Sequence, residues 1–308
     1  MQVVFFGTAY FAVPILDALC HAGHQVDPVI TAPRKPKGRG LKPLPSPVEA
    51  TAGQRGLRVL TPVNPHDNDV IRIITQVKPD VGILAAYGTI LRDVLISLPQ
   101  LGFLNVHPSL LPEYRGAAPI QRALLDGRTV TGVSVIIMTN ELDAGDIICQ
   151  RSVQIQPDEN AGDLSLRLAK IGAELTLTAL DSLRTGCVRT IPQPPVGISW
   201  APRLSKADRI LDWTLPAIKI HNQIRALAPE PGAITTFRGS PVLVLRSRVL
   251  PLETELPAGT LILEHPGTVV ATGYGTLELL QVAPAGSRVQ TGVDFRNGRR
   301  FQPGEKLL

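Results

Sequence analysis

Apolar and polar positions along this chain fall into short apolar runs separated by stretches of helical period, the alternation expected of strand–helix–strand units. Val3-Val4-Phe5-Phe6 predicts a first strand, Gly7-Thr8 a tight turn, and Pro14 to Ala22 a helix. Pro14 suits the first helical position, where a missing N–H costs nothing, and Ile15, Leu16 and Leu19 supply a buried stripe. A second strand is expected at Val26 to Thr31, then helices at Val48 to Gly56 and at Asn68 to Val77, the last with Ile71 and Ile74 inward. Asp80 to Ala85 is apolar almost throughout, as strands of a buried parallel sheet are. Gly102 to His107 is extended until Pro108, which has no N–H to continue a ladder. Ser109 to Gly116 reads as a loop and Pro119 to Asp126 as a short helix closed by Gly127. Strands follow at Thr131 to Thr139 and Ile147 to Val153. Leu164, Leu168, Ile171, Leu175 and Leu183 then keep helical spacing up to about Gly186. The expected class is α/β, with a Rossmann-like doubly wound sheet.

The pattern changes after Gly186. Pro192, Pro194, Pro195 and Pro202 stiffen a stretch that reads as an extended linker over 188–204. A helix from Thr214 to Ala228 and short apolar runs at 233–238, 241–249, 259–263, 268–272 and 276–282 follow. Strands so spaced predict a small C-terminal β-barrel, OB-like, in a second domain covering 205–308 after a first covering 1–187. At 308 residues two domains are the natural division, since a single core is near its usual limit.

Composition narrows the class only slightly. A hydrophobic fraction of 44% with 19% charged residues is that of an ordinary globular chain, and no apolar run is long enough to predict a membrane span. The chain enters its first strand without a basic leader, which argues against a targeting peptide. Cys20, Cys149 and Cys187 are scattered and lack His at metal spacing, so they read as reduced thiols of a cytoplasmic protein, with no metal expected. Gly-Thr-Ala-Tyr-Phe-Ala after the first strand lacks the second and third glycines of a dinucleotide fingerprint, so no NAD is expected. His21 and His24 read as solvated.

Charge is uneven. The net charge of +5 permits a polyanionic partner, and five cations, Arg34, Lys35, Lys37, Arg39 and Lys42, crowd a segment with no acid between Asp27 and Glu49. Its prolines and glycines predict a surface loop without a regular element. One reading is a solvated linker; the other is a phosphate-seeking arm for RNA. Position favours the second, because a loop after the second strand overhangs the C-terminal sheet edge where ligands of open α/β sheets bind.

Candidate chemistry lies at that same edge. Asn105 and His107 stand two apart on the expected strand and project from one face. An amide that donates to a developing oxyanion, beside an imidazole that can exchange a proton near neutral pH, suits carbonyl transfer. A carboxylate to hold the imidazole would complete it. Asp143, in Glu141-Leu142-Asp143-Ala144-Gly145-Asp146, is the best candidate, and Asp146 is its rival.

Asn105-Val106-His107, Ser109-Leu110-Leu111-Pro112, Arg115-Gly116-Ala117-Ala118-Pro119 and Leu142-Asp143-Ala144-Gly145-Asp146 together resemble the 10-formyltetrahydrofolate-dependent formyltransferases, in particular the branch whose acceptor is a charged tRNA. The likeness continues through Ser205-Lys206, Ile210 to Trp213, Ile224-Arg225-Ala226 and Asn297-Gly298-Arg299-Arg300. It implies Asn105, His107 and Asp143 as the catalytic trio and Ser109, Leu110, Leu111 and Pro112 as part of the folate contact. It also implies that Tyr87, Gly88 and Ile90 wall the pterin pocket, for which plain core packing is the alternative. The basic loop would enter an acceptor stem through Arg39, and the C-terminal barrel would bind tRNA. The implied reaction moves the formyl group of 10-formyltetrahydrofolate to the α-amino group of methionyl initiator tRNA, in a monomer with no membrane partner. The alternatives are a relative acting on a small amine such as an amino sugar nucleotide, and a non-catalytic RNA-binding relative. Two positions depart from the family pattern: Glu141 replaces a common Gly and is expected to point outward, and Glu230 precedes Pro231 where Trp is common.

Overall fold

The computed structural model describes residues 1–37 and 42–308, in two compact units. One comprises Met1–Pro119, Val130–Val153 and Ser165–Ala201; the other Ile120–Thr129, Gln154–Leu164 and Pro202–Leu308.

The first unit is built on a seven-stranded sheet. Its order is Ile147–Gln154, Val130–Ile137, Phe103–His107, Val81–Ala85, Gln2–Gly7, Gln25–Ile30 and Val59–Leu60. Gln2–Gly7 runs parallel to both its neighbours, and Val81–Ala85 parallel to Phe103–His107. Only then does the sheet reverse, where Phe103–His107 meets Val130–Ile137 antiparallel, with His107 opposite Ser134 and Asn105 opposite Ile136. Successive strands first step outward from Gln2–Gly7 to Val59–Leu60 and then return to its other side. Such a reversal opens a crevice at the carboxyl ends of the strands.

Helix Val13–His21 buries Ile15, Leu16 and Leu19 completely, as the apolar stripe requires. In helix Asn68–Val77 it is Val70 and Ile74 that are buried, while Ile71 packs at the margin of the same core. The long helix Ala161–Arg184 lies close to the strand Phe103–His107: a Cβ on Gly172 would stand 2.9 Å from Val106 Cγ1. Strand alternation turns Val106 to that helix and leaves Asn105 and His107 on the opposite face.

The basic segment departs from expectation. Lys35–Lys37 and Lys42–Leu44 pair as a short antiparallel hairpin, with Pro36 opposite Pro43. Two prolines can oppose each other where the ladder needs no N–H from either, at a non-hydrogen-bonded pair. Arg39 lies outside the described residues. The stretch expected as a plain linker also carries structure. Trp200–Ala201 pairs in parallel with Arg115–Gly116, and Ile147 and Ile191 exchange both backbone hydrogen bonds at 2.9 Å.

The second unit holds an antiparallel curled sheet in the order Ala233–Phe237, Ser240–Leu250, Thr276–Pro284, Thr268–Ala271, Leu261–Ile262, with Gln290–Thr291 beside Thr276–Pro284. Its two edges are bridged by the C-terminal residues: Leu308 and Thr236 exchange backbone bonds of 2.7 and 2.9 Å, and Leu261 N donates to Glu305 O over 2.9 Å. Pairing both edges removes the open ladder that a curled sheet would otherwise expose. Helix Ala217–Leu227 and the rings of Trp213, Phe237 and Phe295 fill the interior, and Trp213 Nε1 donates to Thr235 Oγ1 at 2.9 Å. Among the described residues no helix is long and apolar enough to cross a membrane.

Candidate active site

Phe103–His107 ends at Pro108, and its last turn outward places Asn105 and His107 at the carboxyl edge, 7% and 4% exposed. The turn before Ile147–Gln154 brings a carboxylate to them from across the sheet. Asn105 Nδ2 donates to Asp143 Oδ1 at 2.9 Å, and the Gly116 N–H donates to Asp143 Oδ2 at 2.8 Å. Asp143 is held at φ +51°, a left-handed conformation that Asp tolerates better than most residues. The turn is tight because Gly145 lies against the Ile137 carbonyl, where a side chain has no room.

His107 Nε2 lies 2.9 Å from the Tyr114 carbonyl, which can only accept, so Nε2 carries a proton. The other nitrogen, Nδ1, faces Asp143 Oδ2 at 3.6 Å. That gap exceeds a direct hydrogen bond. Amide, imidazole and carboxylate from two distant segments thus meet at one point. Asp146 faces elsewhere: its Oδ2 accepts from Thr190 Oγ1 at 3.1 Å. Glu141 is exposed.

The loop after the strand is held from beneath. Ser109 Oγ donates to Glu113 O at 2.6 Å, and Ser109 O accepts from Ser134 Oγ at 2.6 Å. Ser134 Oγ in turn accepts from Leu111 N and from Gln150 Nε2 at 3.1 and 2.7 Å, and Gln150 Nε2 also reaches Leu111 O at 3.1 Å. Ser109 and Leu111 are therefore buried, with the Ser109 hydroxyl spent on the loop itself, while Leu110 and Pro112 are half-buried. In the loop after Val81–Ala85, Tyr87 points into the core, edge-on to Phe6 at 5.2 Å, and burial pushes its phenol up to about 12. Gly88 and Ile90 are exposed, Gly88 at φ +90°.

Of the basic residues, Arg34 pairs with Glu49 at 2.8 Å, and Lys35, Lys37 and Lys42 stand on the hairpin strands.

A family model described as formyl transferase matches residues 1–180, and a second, formyl transferase C-terminal domain, matches 203–300. The chain belongs to the formyl transferase family. One relative, the methionyl-tRNA formyltransferase of Roseiflexus castenholzii, is 41% identical over 309 residues, spanning 100% of this chain and 99% of the relative. Among solved structures, the methionyl-tRNA formyltransferase from Clostridium thermocellum superposes with a TM-score of 0.60 at 15% identity, covering 82% of this chain and 95% of that one. HypX from Aquifex aeolicus, in complex with tetrahydrofolic acid, gives 0.69 at 17% identity, covering 100% of this chain and 50% of that chain. At these identities the superpositions speak for the fold of this formyl transferase.

Several residues that hold this candidate site together carry no signal in the sequence pattern. Ser134 and Gln150 look like ordinary strand residues. Gln193 sits in the proline-rich stretch, yet its side chain bonds to both the Asp143 and Gly145 carbonyls. Ser199 receives the Tyr114 N–H at 2.8 Å. Each contact spans many residues of chain, so only a family alignment could have singled these positions out.

Proposed function

We propose that this formyl transferase moves the formyl group of 10-formyltetrahydrofolate to the α-amino group of methionyl initiator tRNA. The carrying observation is the convergence of Asn105, His107 and Asp143 at one sheet edge, in a chain matched end to end by a relative of that name. Folate would lie across the strand ends, between 87–90 and 109–112, with exposed Gly88 and Ile90 toward solvent and Leu110 and Pro112 offering backbone and partial side-chain surface. The free amine attacks the formyl carbon to give a tetrahedral oxyanion. Asn105 has one amide hydrogen committed to Asp143 and directs its second at that oxygen. His107, with Nε2–H tied to Tyr114, presents Nδ1 as its proton-exchanging atom. The C–N10 bond then breaks while the amine proton travels to N10, through Nδ1 or through a water held by Asp143. No metal is required for these steps.

The acceptor is read from charge and from the second unit. The hairpin that carries Lys35, Lys37 and Lys42, together with Arg39, would follow the tRNA backbone, and the C-terminal barrel over 205–308 would hold more of it. Residues 1–187 would then be the catalytic domain and 188–204 its connection. We place the protein in the cytoplasm, as a monomer.

Formyl transfer from 10-formyltetrahydrofolate to charged initiator tRNA tests this directly, beside an aminoacyl analogue without the tRNA body. His107→Ala should keep tRNA affinity while turnover collapses by about 10² or more. Arg39→Ala should weaken use of tRNA and leave turnover of the small amine intact. Equal losses on both acceptors for both variants would refute this division of labour.

A further inference from the structure

The side chain of Gln193 is saturated in a way that leaves it one orientation. Its Nε2 donates to two carbonyls, Asp143 O and Gly145 O, each at 2.8 Å. Its Oε1 accepts from the Arg115 fork, Nε at 3.2 Å and Nη2 at 2.7 Å. Flipping the amide would set its N–H groups against the guanidinium and its oxygen against two carbonyls, so the arrangement tolerates no alternative. Arg115 is 8% exposed, and the next residue, Gly116, gives its N–H to the Asp143 carboxylate.

The surrounding segment repeats the pattern. Ile191 and Thr190 hold the far end of the same turn through Ile147 and Asp146, and Ser199 to Ala201 hold the loop 112–118. One extended strap thus grips both sources of the catalytic cluster, the Asp143 turn and the Gly116 loop.

We propose that Gln193 is a positioning residue for formyl transfer: it locks the backbone of the Asp143 turn so that the carboxylate stays against Asn105 and His107. This rests on the catalytic roles proposed above. Such a lock has something to hold, because Asp143 sits at φ +51°, a left-handed conformation less populated than the right-handed or extended regions even for Asp. A shift near 1 Å would open the gap to His107 Nδ1, and misplacement of that size costs up to about 10²-fold in rate.

The test compares Gln193→Glu and Gln193→Met, with and without Asp143→Ala, in the full-length protein with charged initiator tRNA and formyl donor. Glutamate keeps the acceptor for Arg115 but sets a carboxylate against two carbonyls; methionine keeps the length and removes all four bonds. Both variants should lose about 10- to 100-fold in kcat while KM for either substrate stays within about threefold. In the Asp143→Ala background, where no carboxylate remains to be placed, the same changes should cost less than about twofold more. Wild-type kcat in both Gln193 variants, losses that multiply fully with Asp143→Ala, or losses that follow the folded fraction by circular dichroism would each overturn the proposal. If instead Asp143→Ala itself retains wild-type kcat, the catalytic reading fails, independently of Gln193.

Discussion

Asn105 and Asp143, 38 residues apart, meet through a 2.9 Å hydrogen bond from amide to carboxylate, while the second carboxylate oxygen takes the Gly116 N–H. Both oxygens must therefore accept. Asp143→Asn has only one acceptor oxygen, so whichever way its amide turns, a donor faces a donor. This variant should lose about 10²- to 10⁴-fold in kcat, the range for a lost acid–base group, with folate affinity within about threefold by fluorescence titration. A variant that kept more than half of the wild-type kcat would remove Asp143 from the chemistry.

Ser134 is buried and ties two points of the 109–111 loop, Ser109 O and Leu111 N, to Gln150 Nε2 on the strand Ile147–Gln154. Ser134→Ala leaves those groups short of a partner, at a cost of about 1–3 kcal/mol in urea denaturation. Because this loop is the proposed folate contact, KM for the formyl donor should rise more than kcat falls. The reverse split, with KM unchanged, would detach the loop from folate binding.

At Gly116 φ is +124°, and an added Cβ would stand 2.8 Å from the Ala201 carbonyl. Gly116→Ala should destabilise by about 1–3 kcal/mol and displace the N–H that orients Asp143. Turnover per folded molecule should drop with it, measured after correction for active-site content. Stability lost without any change in turnover would mean that the Gly116 N–H is dispensable.

His221 is buried, with Nδ1 at 3.0 Å from Ser247 Oγ and Nε2 at 3.3 Å from Pro157 O. Burial pulls its pKa below the usual histidine value; the Pro157 carbonyl and Asp158 push it up, and Arg225 pulls it down. With a folded pKa below the unfolded one, the unfolded state binds more protons between the two values. Stability is thus complete above about pH 6.5 and declines as pH falls through the folded pKa. His24 and His66 shift the same way, chiefly through burial. Urea midpoints measured from about pH 7.5 to about pH 5.5 should fall for the wild type, and less steeply for His221→Gln. Identical slopes would show that His221 takes up protons equally in the folded and unfolded states, so that burial does not lower its pKa.

Strand and helix positions were largely legible. The strand Phe103–His107, the helix Asn68–Val77 and the runs of the curled sheet sit within a residue or two of where apolar periodicity puts them. The edge strand Val59–Leu60, the helix Gly292–Arg299 and the hairpin in the basic segment were not. Two-residue strands carry no period, and Pro36 and Pro43 are locally the strongest breakers of a ladder.

By itself, the amino-acid order determined which residues could form strands and helices, because burial of alternate or every third and fourth side chain is a local, periodic demand. It also determined the presence of an amide and an imidazole two positions apart at a strand end. Tertiary structure alone decided which nitrogen of His107 faces Asp143, that Asp146 turns to Thr190, and that Gln193 and Ser199 grip the site from a segment that reads as linker. Those outcomes depend on hydrogen bonds between groups from 7 to 85 positions apart, whose directions are set only when the sheet edge assembles.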